Sequence, residues 1–287
     1  SLIEKYPDTY KGHIELAKIY EKEGGQRKAA DEYVQAIDIH KRDYDSYYKI
    51  AELLTNLNKK DEAAQMLNNL LKKKPDYYQA TVLLGEILIS KEMYKEAANI
   101  YHEGLRYNPT SYDLNYNLGL VYTMLNDFEN AKICYEKAAE INSLLYNAKY
   151  ALAEIALIYK EIEEAREYFL QATESEELAP DAYYELAKIE IIKGNKDTAI
   201  QYANTAIDLN SKKIVPKVKS DPVFIPIIAR LTMPFNLEMA SMKQNEGEEN
   251  KQEKLSEKEL KAKEHLEETF EITKNISYAD IEFKNRN

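Results

Sequence analysis

An all-α solenoid of antiparallel helix pairs is the fold this sequence predicts, on three observations. The first is a repeat. Stepping 34 residues at a time from Ala17 gives Ala51, Gly85, Gly119, Ala153 and Ala187, each preceded by Leu or Ile. Two further series keep the same phase: Ala29, Ala63, Ala97, Ala131, Ala165, Ala199, and Ala36, Leu70, Gly104, Ala138, Ala172, Ala206. No insertion breaks the phase over six copies, and a fixed period of this length marks stacked supersecondary units. The second observation is helical spacing of the apolar residues within a unit, as in Leu118, Val121, Tyr122 and then Ile133, Tyr135, Ala138. The third is composition: only 8 Gly and 8 Pro occur in 287 residues, so few positions break a helix.

Taken in order, residues 1–9 fall where the end of a second helix would lie, with Pro7 in the phase of Pro75 and Pro109. The expectation is that the chain starts inside a truncated preceding repeat. Six units follow, at 10–43, 44–77, 78–111, 112–145, 146–179 and 180–213. The turn between the two helices of each unit begins at Gly24, Asn58, Glu92, Asn126, Lys160 and Gly194, four of them Gly or Asn, the types that tolerate a left-handed backbone after a helix end. Glycine inside a helix costs about 1 kcal/mol against alanine. At Gly119 that cost is offset if small residues let two helices approach while Tyr135 fills the adjacent hole. Pro75 and Pro109 stop the second helices of their units. The sixth unit is atypical, with Glu190 where the other units carry an apolar residue and Ala203 where they carry a bulky one, as suits a terminal repeat.

Residues 214–235 leave the phase. Asp221-Pro222 reads as a helix start, and Val223, Phe224, Ile227, Ile228 and Leu231 supply an apolar face for a C-terminal cap over the last repeat. From 236 to 287 the chain turns to Glu, Lys, Gln and Asn. Pairs such as Glu257–Lys261 support a marginal exposed helix, followed by a charged, partly flexible tail.

Whole-chain properties narrow the function. A net charge of −11 argues against nucleic acid, whose binding needs clustered Lys and Arg. The single cysteine, Cys134, can form neither an intrachain disulfide nor a two-thiolate metal site. His13, His40, His102 and His265 have no metal-ligand spacing, and "EGGQ" (23–26) is an inter-helix turn rather than a phosphate loop. The longest apolar run, 222–235, is too short to span a membrane and is broken by Pro226, Arg230 and Pro234. The reading is a non-enzyme with no cofactor and no metal.

The motif of large–Leu–Gly/Ala–Tyr in the first helix and Ala–aromatic–Ala in the second resembles the tetratricopeptide repeat family, over residues 10–213. The first-helix aromatic position reads Tyr20, Leu54, Leu88, Tyr122, Ala156, Glu190, and the second-helix one reads Tyr33, Leu67, Tyr101, Tyr135, Phe169, Ala203. The family's usual Trp is absent throughout. The resemblance implies a right-handed superhelix whose concave groove is lined by unit positions 2, 5, 9 and 12 and holds partner peptide segments. Positions 5 and 9 give the groove candidates Ile14, Lys18, Tyr48, Glu52, Val82, Glu86, Tyr116, Leu120, Tyr150, Glu154, Tyr184 and Lys188. Position 2 adds Lys11, Asp45, Gln79, Asp113, Asn147 and Asp181; position 12 adds Glu21, Thr55, Ile89, Thr123, Leu157 and Ile191. Two readings of the tyrosines stay open: recognition of a partner, or packing against the next repeat.

The family's clamp for a partner's terminal carboxylate needs Lys-x-x-x-Asn and Lys-x-x-x-Arg in alternate units, and this sequence has no such set. An acidic groove fits basic or amide-rich, partly apolar partner segments. The leading reading is a non-catalytic protein-interaction scaffold. The alternative is a regulatory or targeting arm of a larger enzyme or membrane-anchored protein whose N-terminal part is missing here. RNA binding is disfavoured by the acidic charge, and peptide-pheromone sensing by the lack of a DNA-binding segment. A cytoplasmic setting is expected, with an anchor or export signal before Ser1 as the alternative.

Overall fold

The computed structural model describes residues 9–232. Residues 1–8, the end of the cap and the tail, on which several expectations fall, lie outside the described residues. Among the latter are thirteen α-helices and no strand. They are α1 (Tyr10–Lys22), α2 (Gln26–Ile39), α3 (Tyr44–Asn56), α4 (Lys60–Lys73), α5 (Tyr78–Ser90), α6 (Tyr94–Tyr107), α7 (Tyr112–Met124), α8 (Phe128–Ile141), α9 (Tyr146–Ile158), α10 (Ile162–Ala172), α11 (Ala179–Ile192), α12 (Lys196–Leu209) and α13 (Ser211–Ser220). The 3-10 turns Pro222–Phe224 and Ile228–Arg230 follow. The chain divides into two compact units, one ending at Ala148 and one beginning at Lys149.

In the first unit four helix pairs, α1/α2 through α7/α8, pack in chain order, and α2, α4 and α6 each also touch the first helix of the next pair. All six inter-helix turns, in both units, adopt the left-handed backbone at the anticipated residue, with φ from 56° at Asn126 to 82° at Gly194. Each closes with the same pair of backbone bonds, such as Asn58 N–H to Thr55 O at 2.9 Å and Lys59 N–H to Leu54 O at 2.8 Å. These bonds satisfy carbonyls that the helix end would leave unpaired. Glu92 and Lys160 take this conformation too, at φ of 59° and 61°, although neither is of a type that favours it. Glu92 is exposed, and Glu92→Gly is therefore expected to stabilise the protein by about 0.5–1 kcal/mol. The check is a higher urea midpoint at unchanged slope.

The small residues inside the helices have a specific use. A Cβ on Gly119 would lie 2.7 Å from Tyr135 Cε1, and one on Gly85 only 2.2 Å from Tyr101 Cζ. Each tyrosine ring thus lies over the glycine of its own repeat and is buried there. The hydroxyl at the far end differs between repeats. Tyr135 OH meets Thr123 Oγ1 at 3.2 Å, whereas Tyr101 OH has no hydrogen-bond partner, Ile89 standing where Thr123 stands one repeat later.

In the second unit one cluster joins Ala153, Ala156, Phe169, Ala182, Leu186 and Ile189. A second joins Tyr184, Ala187, Ala203 and Ile207 to Ile214, Val218, Phe224, Ile227 and Leu231. The cap therefore begins earlier than the sequence suggests. Asn210 Oδ1 accepts from Lys213 N–H at 3.1 Å and starts α13 at Ser211. Asp221-Pro222 opens only a 3-10 turn: Asp221 caps Val223 N–H at 3.0 Å, and Pro226 has no N–H with which to extend a helix. Glu190, the odd residue of repeat six, is buried with both oxygens engaged, by Arg166 Nε at 2.8 Å and Asn195 Nδ2 at 2.7 Å.

Candidate functional site

On the first helix of each repeat, unit positions 2, 5 and 9 are spaced three and four residues apart and share one face. In the first unit this face carries a cavity of about 430 Å³ built from three successive repeats. Repeat two contributes Tyr48. Repeat three contributes Tyr78, Gln79, Val82, Leu83 and Glu86, and repeat four Asp113 and Asn117. Of the candidates, Tyr48, Gln79, Val82, Glu86 and Asp113 are thus brought together. Tyr78, Leu83 and Asn117 were not among them. Tyr78 belongs to the series of tyrosines that open the units, Tyr10, Tyr44, Tyr78, Tyr112 and Tyr146, which read as residues packing between repeats. Its hydroxyl does bridge repeats, donating to Asp113 at 2.8 Å, yet it also forms cavity wall. Leu83 and Asn117 occupy unit position 6, which runs Glu15, Lys49, Leu83, Asn117, Ala151, Glu185 and has no constant chemistry to give it away.

A neighbouring cavity of about 400 Å³ is lined by Glu21, Gln26, Lys49, Glu52, Leu53, Thr55, Asn56 and Leu83. Across its wall Lys49 pairs with Glu52 at 2.6 Å. The remaining candidates of this unit line neither cavity. Ile14 and Leu120 are half-buried, and Lys18 is exposed and paired with Glu15 at 2.8 Å. The half-buried Tyr116 ring lies 5.5 Å from that of Tyr135.

In the second unit Tyr150 packs edge-on against Phe169 at 5.1 Å and stays half-buried, while Glu154 is exposed. Tyr184 is buried instead of lining a groove. Its ring stacks on Phe224 at 5.1 Å and its hydroxyl donates to Asp221 at 2.7 Å. Lys188 pairs with Glu185 at 3.1 Å and reaches Asp221 at 3.8 Å. Asp181 takes Lys213 and, at 2.7 Å, Lys217. Positions 2, 5 and 9 of repeat six are therefore occupied by the chain's own cap.

Family models described as tetratricopeptide repeat match residues 48–101, 112–143 and 150–213, together a little over half of the chain. The chain belongs to the tetratricopeptide repeat (TPR) family. Among solved structures it is similar to YrrB, described as a TPR protein with an unusual peptide-binding site. The two are 26% identical, over 67% of this chain and 100% of that one, with a TM-score of 0.56. The C-terminal part of a TPR protein from Cytophaga hutchinsonii matches at a TM-score of 0.65 and 15% identity, over 75% of this chain and 90% of that one. PilF of Pseudomonas aeruginosa matches at 0.57 and 18%, over 71% and 93%. At such identities the last two show the fold alone. No curated protein matches the chain.

The TPR cleft is acidic and poor in reactive groups. The carboxylates of Glu86 and Glu154 both keep solvent access, yet partial desolvation raises Glu86 above the ordinary range, and partial desolvation with Glu185 beside it does the same to Glu154. Burial, then Glu52 and Glu86, pushes the Tyr48 hydroxyl up to about 12. Cys134 is buried on α8 and desolvation pushes its thiol up to about 11, which keeps it out of the reactive thiolate form. Among the described residues no group of three or more His, Cys, Asp or Glu is arranged to hold a metal ion, and no helix is long and apolar enough to cross a membrane.

The cap carries the opposite electrostatic sign. Burial acts to raise Asp181, but Lys213 and Lys217 overcome it and hold the carboxyl below the usual aspartate range; in Glu190, Asn195 and Arg166 likewise overcome burial and hold it below the usual glutamate range. A carboxylate depressed by folding stabilises fully above its unfolded pKa and loses that contribution as pH falls through the folded one. Stability of the second unit should thus fall on acidification below about pH 4. Asp181→Asn is expected to cost about 1 kcal/mol at pH 6, since both lysines are half-exposed, and to flatten the acid slope. Urea unfolding between pH 6 and pH 3 provides the check.

Proposed function

We propose that this TPR chain is a non-catalytic scaffold that binds partner polypeptide segments along the first helices of its repeats. The observation that carries the reading is the cavity spanning repeats two to four. Tyrosine and aliphatic walls there supply apolar contact, while Gln79, Glu86 and Asn117 offer polar groups at the surface. Similarity to YrrB, whose structure is described as having a peptide-binding site, supports the same use. The acidic lining favours basic or amide-rich, partly apolar segments over acidic ones.

The test pairs Tyr48→Ser with Val82→Ser. Both residues are only partly buried, so the thermal midpoint should fall by a few degrees while helicity is kept. Affinity for peptides selected on the wild-type chain should fall about tenfold or more. Unchanged affinity in the folded double variant would contradict this function.

A further inference from the structure

The geometry points to one recognition element within that cleft: a subsite for a single lysine or arginine side chain of the partner, with Glu86 as its counter-ion. The inference rests on the peptide-binding reading above and names the chemistry of its occupant.

Position 9 carries two acids without an ion-pair partner among the described residues, Glu86 and Glu154; Glu154 has the like charge of Glu185 beside it, whereas Glu86 lines the cavity. Lys18 is paired with Glu15, Glu52 with Lys49, and Lys188 with Glu185 and Asp221. Position 9 of repeat four is the uncharged Leu120. Among the described residues Glu86 makes no hydrogen bond or ion pair with the chain, and no Lys or Arg lines its cavity. Asp113, the other carboxylate on the wall, accepts from Tyr78 at one oxygen, whereas neither oxygen of Glu86 is engaged by the chain. Desolvation raises the Glu86 carboxyl, the direction expected of a charge that the wall leaves uncompensated.

The surroundings match the rest of such a side chain. Val82 and Leu83 supply aliphatic wall for a methylene stem, and Tyr48 and Tyr78 present aromatic surface, which attracts a cation. A volume of about 430 Å³ admits one long side chain with part of its backbone. An aspartate or glutamate would meet Glu86 as a like charge, and an apolar residue would leave it unpaired.

The test begins with selection of random dodecapeptides displayed on phage against the immobilised full chain. Synthetic copies of the winners, fluorescein-labelled, are then titrated by anisotropy. The expected result is a Lys or Arg at one fixed position of the enriched sequences. Glu86→Gln should weaken these peptides about tenfold, and so should norleucine at the basic position. The two changes together should cost little more than either alone. Glu140→Gln, an exposed carboxylate on α8, should have no effect and controls for net charge. Enriched peptides with no fixed basic residue, or with affinity indifferent to Glu86→Gln but sensitive to Tyr48→Ser with Val82→Ser, overturn the subsite and leave the cleft reading intact. Failure to enrich any peptide, or binding indifferent to all of these changes, overturns both.

Discussion

Phe224→Ala is expected to destabilise the protein by about 3–5 kcal/mol, the range for truncating a fully buried aromatic side chain that the surroundings cannot replace. Phe224 is fully buried, stacks on Tyr184, and shares a core with Ala187, Ala203, Ile214 and Val218. Repeats one, three, four and five carry an aromatic on the second helix, at Tyr33, Tyr101, Tyr135 and Phe169. Repeat six has Ala203 there, and the cap brings the missing bulk from outside the repeat. Phe224→Leu keeps most of the volume and should cost less than about 1.5 kcal/mol. Guanidinium unfolding followed by circular dichroism measures both. Hydrogen exchange should place the loss of protection in α11–α13. A cost under about 1 kcal/mol for Phe224→Ala would mean that the cap is not structural.

Gly85→Ala is the second large effect, expected to destabilise by about 2 kcal/mol even though alanine is the better helix former by about 1. The new methyl would meet Tyr101 at 2.2–2.5 Å, and that ring is fully buried. Repeat two shows how the same site accepts alanine: Ala51 stands at the glycine position and Leu67 at the tyrosine position, both fully buried. Tyr101→Leu added to Gly85→Ala should therefore recover most of the loss, and should also remove the hydroxyl that has no partner. The double-mutant cycle in urea should give a favourable coupling of about 1–2 kcal/mol. Simple additivity would show that ring and glycine are not in contact.

The helix pairs were legible in the sequence because their constraints repeat. The same small residue every 34 positions announces the same close approach, and Gly24, Asn58, Asn126 and Gly194 announce the turns. Glu92 and Lys160 could be placed only by phase, since their side chains argue against a left-handed backbone. What did not repeat was harder to read. Leu83 and Asn117 line the cleft from a position whose chemistry changes with every unit. Tyr184 belongs to a periodic tyrosine series, but its surroundings do not, because the cap covers repeat six alone. The start of α13 depends on Asn210 as a cap, a signal overshadowed by the stronger-looking Asp221-Pro222, which Pro226 limits to a 3-10 turn.

The most direct measurement of the central claim is a methyl-labelled NMR titration of the chain with a peptide selected on it. Val82 and Leu83 line the cleft, while the exposed methyls of Ile133 and Ile141 lie on the second helix of repeat four. Binding along the first helices moves the Val82 and Leu83 resonances and leaves those of Ile133 and Ile141 in place. Shifts confined to Ile133 and Ile141, with Val82 and Leu83 unmoved at saturation, would contradict it.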